Sequence, residues 1–259
     1  MAVWKTGEAS KVRSLAVVAL VSLALSLAVA TAQAKSDPCG QEAVAGNDYI
    51  ICRIDITKTA VSVRWRAGSG KPFGSLVAVQ RAAATAGEKL VFVMNGGMYH
   101  EDLSPVGYHV ENRQKFKNAN TRPGPGNFHL LPNGIFYVDG KSAGVMETRA
   151  FLRRNKRPQF ATQSGPMLVI NGKIHPKFRH NSQSRKVRNG VGVSRDGRTA
   201  YFVLSDEPVT FYAFAKVFQR HLKTPNALFL DGSVSHLASR TIGRHGFRPV
   251  GPVIVGIQR

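Results

Sequence analysis

The stretch Asn226-Ala-Leu-Phe-Leu-Asp-Gly-Ser-Val-Ser235 joins a short apolar run to an abrupt polar end. Short apolar runs bounded by Asn, Asp or Gly are typical of buried strands. Residues 226–230 are therefore predicted to form a strand, and Asp231 is predicted to lie at the turn after it. A carboxylate at that place is accessible to a substrate, although an aspartate at a strand end also commonly caps a turn through its own side chain.

The same pattern recurs along the chain and predicts a protein built mainly of strands. It predicts nine of them, at 49–56, 59–66, 90–95, 134–138, 166–170, 189–194, 200–205, 226–230 and 252–257. Two helices are predicted as well. One follows Ser75, is rich in alanine and stops at Gly87, while the other follows Thr210 and repeats apolar residues at helical spacing as far as Leu222. The predicted fold is α+β, with a mixed, mostly antiparallel sheet and two main helices.

Residues 1–34 have the features of a secretory signal peptide. Basic residues precede a largely apolar run from Leu15 to Ala30, and Ala32-Gln-Ala34 provides a small-residue cleavage site. The alternative, an uncleaved membrane anchor, needs about 20 apolar residues. Cleavage would leave residues 35–259, a length of 225 residues that suits one domain better than two. We expect a periplasmic or secreted protein whose membrane contact is limited to an uncleaved signal.

Cys39 and Cys52 are the two cysteines of the chain. We predict a disulfide between them, because exported proteins with an even number of cysteines commonly pair them. The cysteines form no zinc pattern, and the histidines lack the spacing of His-x-x-x-His or His-Glu-x-x-His motifs. Neither a metal nor another cofactor is therefore expected. His100-Glu-Asp102 is the candidate acid–base cluster among the histidine-containing segments.

The chain carries a formal net charge of +21, of which +19 remains after residues 1–34 are removed. Such a charge attracts anionic partners over long range. Three classes of partner compete: nucleic acid, anionic envelope polymers or lipids, and a phosphate-bearing substrate. Nucleic-acid binding predicts aromatic residues among the basic loops, and the basic loop at 175–188 contains only Phe178. No nucleic-acid partner is therefore expected.

Two segments have features of phosphate binding. Asn95-Gly96-Gly97 follows the predicted strand at 90–95, and glycines there allow backbone N–H groups to approach an anion closely, although a plain strand-end turn explains them equally well. Arg188 directly precedes another predicted strand. A guanidinium anchored in this way can hold a phosphate bidentately.

Asp206, like Asp231, follows an apolar strand. Paired carboxylates are the usual groups for nucleophilic or general-base chemistry on a sugar, whereas structural turn capping is the alternative for each. Ser164 and Ser233 are candidate nucleophiles, but no Gly-x-Ser-x-Gly elbow indicates an α/β-hydrolase.

Six motifs, in this order, resemble the bacterial branch of the phosphodiester glycosidase family. They span about residues 48–240 and are Asn95-Gly-Gly-Met-Tyr99, Ser104-Pro-Val-Gly107, Gly126-Asn-Phe128, Gln163-Ser-Gly-Pro-Met167, Arg188-Asn-Gly-Val-Gly192 and Leu230-Asp-Gly-Ser-Val-Ser235. The resemblance implies hydrolysis of the bond between the anomeric carbon of a sugar and a phosphodiester, as in a phosphorylated sugar or glycopolymer. It also implies a set of site residues: Asn95, Gly96, Gly97, Ser164, Gly165, Arg188, Asp206, Asp231, Gly232 and Ser235.

The implied chemistry agrees with these residue types. A phosphomonoester, whose second pKa is about 6, leaves without a strong general acid if cationic or backbone donors hold its growing charge. Asp231 would stabilise the oxocarbenium-like carbon, attack it or activate water, and the sequence leaves these three roles open. The competing hypothesis is a cationic binding protein for anionic envelope polymers that has no catalytic activity.

Overall fold

A computed structural model describes residues 1–2, 36–232 and 234–259. Residues Ser36–Arg259 form one compact unit. Residues 3–34 of the predicted signal peptide lie outside the described residues, so the signal peptide and its cleavage site remain predictions. Within the described ranges, no helix has both the length and the apolar character needed to span a membrane.

The described part of the chain is mainly β-structure. Its strands are β1 (Cys39–Val44), β2 (Asn47–Asp55), β3 (Thr59–Arg64), β4 (Leu90–Asn95), β5 (His109–Glu111), β6 (Gln114–Lys117), β7 (Gly134–Asp139), β8 (Ser142–Glu147), β9 (Phe160–Ser164), β10 (Met167–Ile170), β11 (Lys173–Ile174), β12 (Asn189–Val193), β13 (Thr199–Ser205), β14 (Asn226–Phe229), β15 (Leu237–Ser239), β16 (Gly243–Arg244) and β17 (Val253–Gln258). The helices are α1 (Leu76–Thr85), α2 (Thr148–Arg153) and α3 (Phe211–Lys216). A 3₁₀ turn covers Asn127–His129, and α3 continues into a π-helical turn at Val217–His221.

The strands form three sheets. The largest has seven strands in the order β1-β2-β13-β12-β14-β10-β11, and the two smaller sheets have the orders β16-β15-β4-β17-β3 and β6-β5-β9-β7-β8. Every ladder between described strands is antiparallel. The α+β class and the mostly antiparallel pairing are thus confirmed, with three sheets in place of one.

The inner faces of the three sheets share one hydrophobic core, and each outer face is covered by a helix. Neighbouring residues of β14 illustrate these two faces, because successive side chains of a strand point to opposite sides of the sheet. Leu228 belongs to the shared core, whereas Ala227 and Phe229 pack with residues of α3. In the same way α1 covers the sheet that contains β4, and Phe151 of α2 covers the sheet that contains β7.

Both predicted helix starts are confirmed. Ser75 Oγ accepts a hydrogen bond from the Ala78 N–H (3.1 Å), and Thr210 Oγ1 accepts one from the Ala213 N–H (3.1 Å). Each cap satisfies an N–H group that has no partner within its helix. Helix α2 was not predicted, because its six residues are too few to show a period.

All nine predicted strands are present, with ends shifted by up to two residues. The eight strands that were not predicted are β1, β5, β6, β8, β9, β11, β15 and β16. Most of them are short or polar, so they lack the apolar run on which the prediction depended.

Cys39 and Cys52 form the predicted disulfide. They lie directly opposite each other in the β1–β2 ladder, so the bond attaches an edge strand to the body of the largest sheet. Disulfides of this kind form in oxidising compartments outside the cytoplasm.

Candidate active site

The turn that follows β14 is held at both ends by two buried asparagines. Asn189 accepts a hydrogen bond from the Asp231 N–H with its Oδ1 (2.7 Å) and donates from Nδ2 to Asn95 Oδ1 (2.7 Å). Asn95 Oδ1 also accepts from the His236 N–H (2.8 Å), while its Nδ2 donates to the Val234 carbonyl (2.5 Å). Asn95, predicted as a substrate-binding residue, is 1% exposed and shapes the turn at 231–236.

Ser164 contacts the residue that precedes the same turn, and Gly165 packs closely against Phe128 and Asn133. The Ser164 hydroxyl is fully buried and donates to the Leu230 carbonyl (2.6 Å). A Cβ atom at Gly165 would lie 2.8 Å from the Phe128 carbonyl oxygen, so a larger residue does not fit there. These contacts favour a supporting role for both residues. Ser233, the other hydroxyl considered, lies outside the described residues.

Gly96 and Gly97 allow two parts of the chain to approach closely. The Gly96 N–H donates to the Pro252 carbonyl (2.7 Å), and a Cβ atom at Gly97 would lie 2.5 Å from the Gln163 carbonyl oxygen. Because the Gly96 donor is already used, the geometry does not support its predicted role in holding an anion. Close approach of the neighbouring backbone accounts for glycine at both positions, and the predicted role of Gly97 in holding an anion stays a prediction.

Arg188 directly precedes β12 and is only 2% exposed. Its Nε donates to the Val209 carbonyl (2.9 Å), its Nη2 donates to the Ser184 carbonyl (3.2 Å), and the guanidinium carbon lies 3.6 Å from the centre of the Phe211 ring. Burial lowers the pKa of Arg188 to about 10, so the group remains cationic at neutral pH. None of the ion pairs between described residues includes it. A buried cation whose neighbours are carbonyls and aromatic rings is complementary to an anion.

Three cavities meet at Gly232, the residue after Asp231. The Asp231 cavity, of about 800 Å³, is also lined by Tyr99, His100, Asn127 and Phe128. The Arg188 cavity, of about 570 Å³, is lined by Arg188, Lys186, Ser184 and Phe211. The Asp206 cavity, of about 490 Å³, is lined by Asp206, Ser235, His236 and Arg244. Gly232 and Arg248 line all three.

Asp206 and Asp231, the two carboxylates predicted to work as a pair, line different cavities. Asp206 forms an ion pair with Arg244. Ser235 lines the Asp206 cavity, and its hydroxyl donates to the Asp231 carbonyl (3.2 Å). The structure therefore brings Asp231, Gly232 and Ser235 together at one turn and places Asp206 to one side of it.

The charge of Asp231 affects the pKa of the neighbouring Tyr99. Burial, and then the negative charge of Asp231, raise the pKa of Tyr99 to about 12. The phenol is therefore protonated at neutral pH and donates to the Pro249 carbonyl (2.7 Å). This bond holds the chain next to Arg248 at the mouth of the Asp231 cavity.

His236 lines the Asp206 cavity as a neutral group. Burial, followed by the positive charge of His245, lowers the pKa of His236. At neutral pH the imidazole is uncharged and can accept or donate a hydrogen bond. His100, from the candidate acid–base cluster, instead lines the Asp231 cavity and is exposed.

Sequence reasoning missed Arg248, Lys186 and the role of Asn189. Arg248 lies in the irregular segment between β16 and β17. That segment has no apolar pattern that would distinguish Arg248 from the other exposed cations of the chain. Asn189 was part of a motif, but its hydrogen bond to Asn95 joins residues 94 positions apart. A contact over that separation cannot be predicted from the residues near either asparagine.

A family model for the phosphodiester glycosidases matches residues 88–255. The chain belongs to the phosphodiester glycosidase family. The match covers Asp231, Arg188 and all the described residues that line the three cavities.

Two other comparisons agree with this membership. The chain is 40% identical over 177 residues, 68% of its length, to uncharacterized protein YigE of Escherichia coli strain K12, and the aligned part is also 68% of that protein. It also resembles the catalytic domain of zebrafish N-acetylglucosamine-1-phosphodiester alpha-N-acetylglucosaminidase, in a structure auto-inhibited by its pro-peptide. That superposition has a TM-score of 0.58 at 13% identity and covers 85% of this chain and 81% of the zebrafish chain. It shows a shared fold.

Proposed function

We propose that this protein hydrolyses the bond between the anomeric carbon of a sugar and a phosphodiester, and releases the sugar and a phosphomonoester. Membership of the phosphodiester glycosidase family supports this reaction class. One observation carries the proposal: the Asp231 cavity and the Arg188 cavity meet at Gly232, which places a carboxylate and a buried cation on the two sides of one turn.

The two cavities suit the two halves of such a substrate. The Asp231 cavity contains aromatic faces and polar groups, namely Tyr99, Phe128, His100 and Asn127, and its volume of about 800 Å³ lies within the usual range for small-molecule sites. We assign the sugar to this cavity. The phosphate then extends past Gly232 towards Arg188.

The division of chemical work follows from the charges. Arg188 stabilises the negative charge that grows on the departing phosphate, and the low polarity of its surroundings strengthens that interaction. Asp231 acts at the anomeric carbon, as nucleophile, as base for water or by stabilising positive charge. Asp206 positions Arg244 through their ion pair at the wall of the neighbouring cavity.

The same proposal includes export. The predicted signal peptide at residues 1–34 and the disulfide between Cys39 and Cys52 both support a periplasmic or secreted location, where envelope polysaccharides and glycolipids provide glycosyl phosphodiesters.

The deciding experiment measures release of free sugar from a panel of sugar-1-phosphodiesters by the purified protein. Asp231→Asn removes the carboxylate and is expected to lower kcat by about 10³-fold or more, the size of effect seen when a group that stabilises a transition state is lost. Arg188→Ala is expected to lower kcat/KM by at least about 100-fold for the same reason.

Matched variants separate these effects from general damage. Asp139→Asn and Arg179→Ala remove the same charges at exposed positions outside the three cavities, and they are expected to keep wild-type rates. If wild type releases no sugar from any substrate, but binds anionic polymer in a salt-sensitive way that Asp231→Asn leaves intact, the cationic binding protein replaces the glycosidase.

A further inference from the structure

The Arg188 cavity contains more positive charge than one phosphodiester requires. Lys186, Arg188 and Arg248 line it, and no Asp or Glu is among its described lining residues. A phosphodiester carries one negative charge and the departing phosphomonoester carries up to two, whereas three cations line the cavity. Lys186 and Arg248 are exposed and take part in no ion pair between described residues.

Both of these cations extend from backbone that is fixed. The Lys186 N–H donates to the Val209 carbonyl (3.1 Å), and the Val209 N–H donates to the Lys186 carbonyl (2.9 Å). Arg248 precedes Pro249, whose carbonyl accepts the Tyr99 hydroxyl, and Val250 donates to the Gly74 carbonyl (2.9 Å). Cations held on anchored backbone lose less freedom when they bind an anion than cations on an unsupported loop.

The position of Arg248 adds a second constraint. It lines all three cavities together with Gly232, whereas Lys186 lines only the Arg188 cavity. A group that contacts both side chains therefore lies in the Arg188 cavity rather than in the Asp231 cavity assigned to the sugar. With the sugar assigned to the Asp231 cavity, the aglycone beyond the phosphate at Arg188 shares this cavity.

We propose that the aglycone of the natural substrate carries a second phosphate, which Lys186 and Arg248 bind while Arg188 holds the phosphate at the reacting bond. The inference rests on the proposed function for its orientation, with the sugar in the Asp231 cavity. Lys186 and Arg248 would recognise such a phosphate in the same way from either of two sources. It could be the next phosphate of a repeating glycosyl-phosphate polymer, or a phosphate on a small aglycone.

Equilibrium binding tests the proposal without any need for turnover. The probes are the monophosphate and the bisphosphate of ethylene glycol, with affinity measured by calorimetry at low and moderate salt. The wild-type protein is expected to bind the bisphosphate at least about tenfold more tightly than the monophosphate. Added salt should weaken binding of the bisphosphate more than binding of the monophosphate. Lys186→Gln and Arg248→Gln should each reduce that preference by about three- to fivefold.

Lys141→Gln is the matched control, because it removes one exposed positive charge in the β7–β8 turn, and Lys141 lines none of the three cavities. It is expected to leave the preference unchanged. Equal affinity of the wild type for the two probes would overturn the proposal, and so would an equal loss of preference in Lys141→Gln.

The kinetic comparison distinguishes this inference from the function on which it rests. Sugar-1-phosphate esters of ethylene glycol, with and without a phosphate on the second hydroxyl, should differ by about tenfold in KM. Equal KM values, together with equal binding of the two probes, would leave the glycosidase reaction standing and overturn the second-phosphate site. A binding preference for the bisphosphate, with no sugar release from either ester or from any member of the sugar-1-phosphodiester panel, would overturn the glycosidase reaction and leave a binding site for two phosphates standing. Long and short glycosyl-phosphate substrates then distinguish polymer from small aglycone.

Discussion

At the scale of single residues, Gly97 tests whether the candidate site depends on close approach between two backbone segments. A Cβ atom there would lie 2.5 Å from the Gln163 carbonyl oxygen, which belongs to backbone that cannot move aside easily. Gly97→Ala is expected to lower the free energy of unfolding by about 1–3 kcal/mol, the usual cost of overpacking. Urea denaturation measures the loss.

Gly68→Ala is the control, since nothing lies within 4 Å of the added Cβ atom. If both alanine variants are as stable as wild type, close approach is not the reason for glycine at position 97.

His175 gives a pH dependence whose direction follows from its contacts. Burial, and then the charge of Lys177, lower the pKa of His175 below the ordinary value of 6.5, and the hydrogen bond to the Leu131 carbonyl only partly offsets them. The folded state therefore binds fewer protons than the unfolded state just below pH 6.5, so stability rises with pH through that window and is lost as pH falls. His236, whose pKa is also lowered, acts in the same direction.

His175→Gln is expected to reduce the slope of unfolding free energy against pH between about pH 5 and pH 6.5. Denaturation at a series of pH values measures that slope. His180→Gln, which replaces an exposed histidine five residues away, serves as the comparison. An identical slope in wild type and His175→Gln would show that His175 makes no such contribution.

At the scale of elements, the start of α3 supports Arg188 through a stack of rings. Phe211 begins the helix directly after its Thr210 cap, and its ring lies 3.6 Å from the Arg188 guanidinium carbon and 4.8 Å from the Phe178 ring centre. Phe178 in turn stacks on His175 at 4.7 Å. The side chain of Arg188 is thus fixed by helix α3 and by the segment after β11.

Phe211→Leu removes the ring face and keeps an apolar side chain. It is expected to weaken binding of methyl phosphate by about 0.5–2 kcal/mol, the value of a cation–π contact, because Arg188 loses one of the contacts that hold its guanidinium in place. Calorimetric titration measures the change, and Phe116→Leu, outside the three cavities, is the control. Unchanged affinity in folded Phe211→Leu would contradict the supporting role.

The disulfide provides a second prediction at this scale, because it joins the edge strand β1 to β2 across 13 positions of the chain. Reduction is expected to lower the free energy of unfolding by about 2–3 kcal/mol, as the chain-entropy model gives for a loop of this size. Denaturation with and without reductant measures the difference. The Cys39→Ser/Cys52→Ser double variant should be insensitive to reductant, and a wild type with equal stability in both conditions would refute the prediction.

At the scale of the whole molecule, the predicted signal peptide determines which chain folds in the cell. If cleavage follows Ala34, the amino-terminal sequence of protein recovered from the periplasm or medium begins at Lys35. Edman sequencing or mass spectrometry of the exported protein measures this directly. Replacement of Ala32 and Ala34 by large residues should block processing, whereas an intact amino terminus in exported wild type would indicate an uncleaved anchor.

The nine strands and the two helix starts followed from the sequence because their signals are local, and the disulfide followed from the even number of cysteines in a chain with a predicted signal peptide. An apolar run predicts a buried strand, and Ser75 or Thr210 caps a helix with its own side chain. The position of Asp231 after a strand was equally local. The family membership was predicted from six motifs, whose order is itself a property of the sequence.

Only the tertiary structure decided how those motifs meet. Asn95 and Asn189 hold the Asp231 turn across long separations in the chain, Asp206 is directed to Arg244, and Arg188 is buried against α3. Arg248 reaches the same turn from a segment with no pattern of its own. These contacts depend on strand register and on the packing of three sheets, and both are set by the sum of many weak interactions between residues far apart in the chain. Local sequence determines which residues end each strand, while packing determines which of those ends share one site.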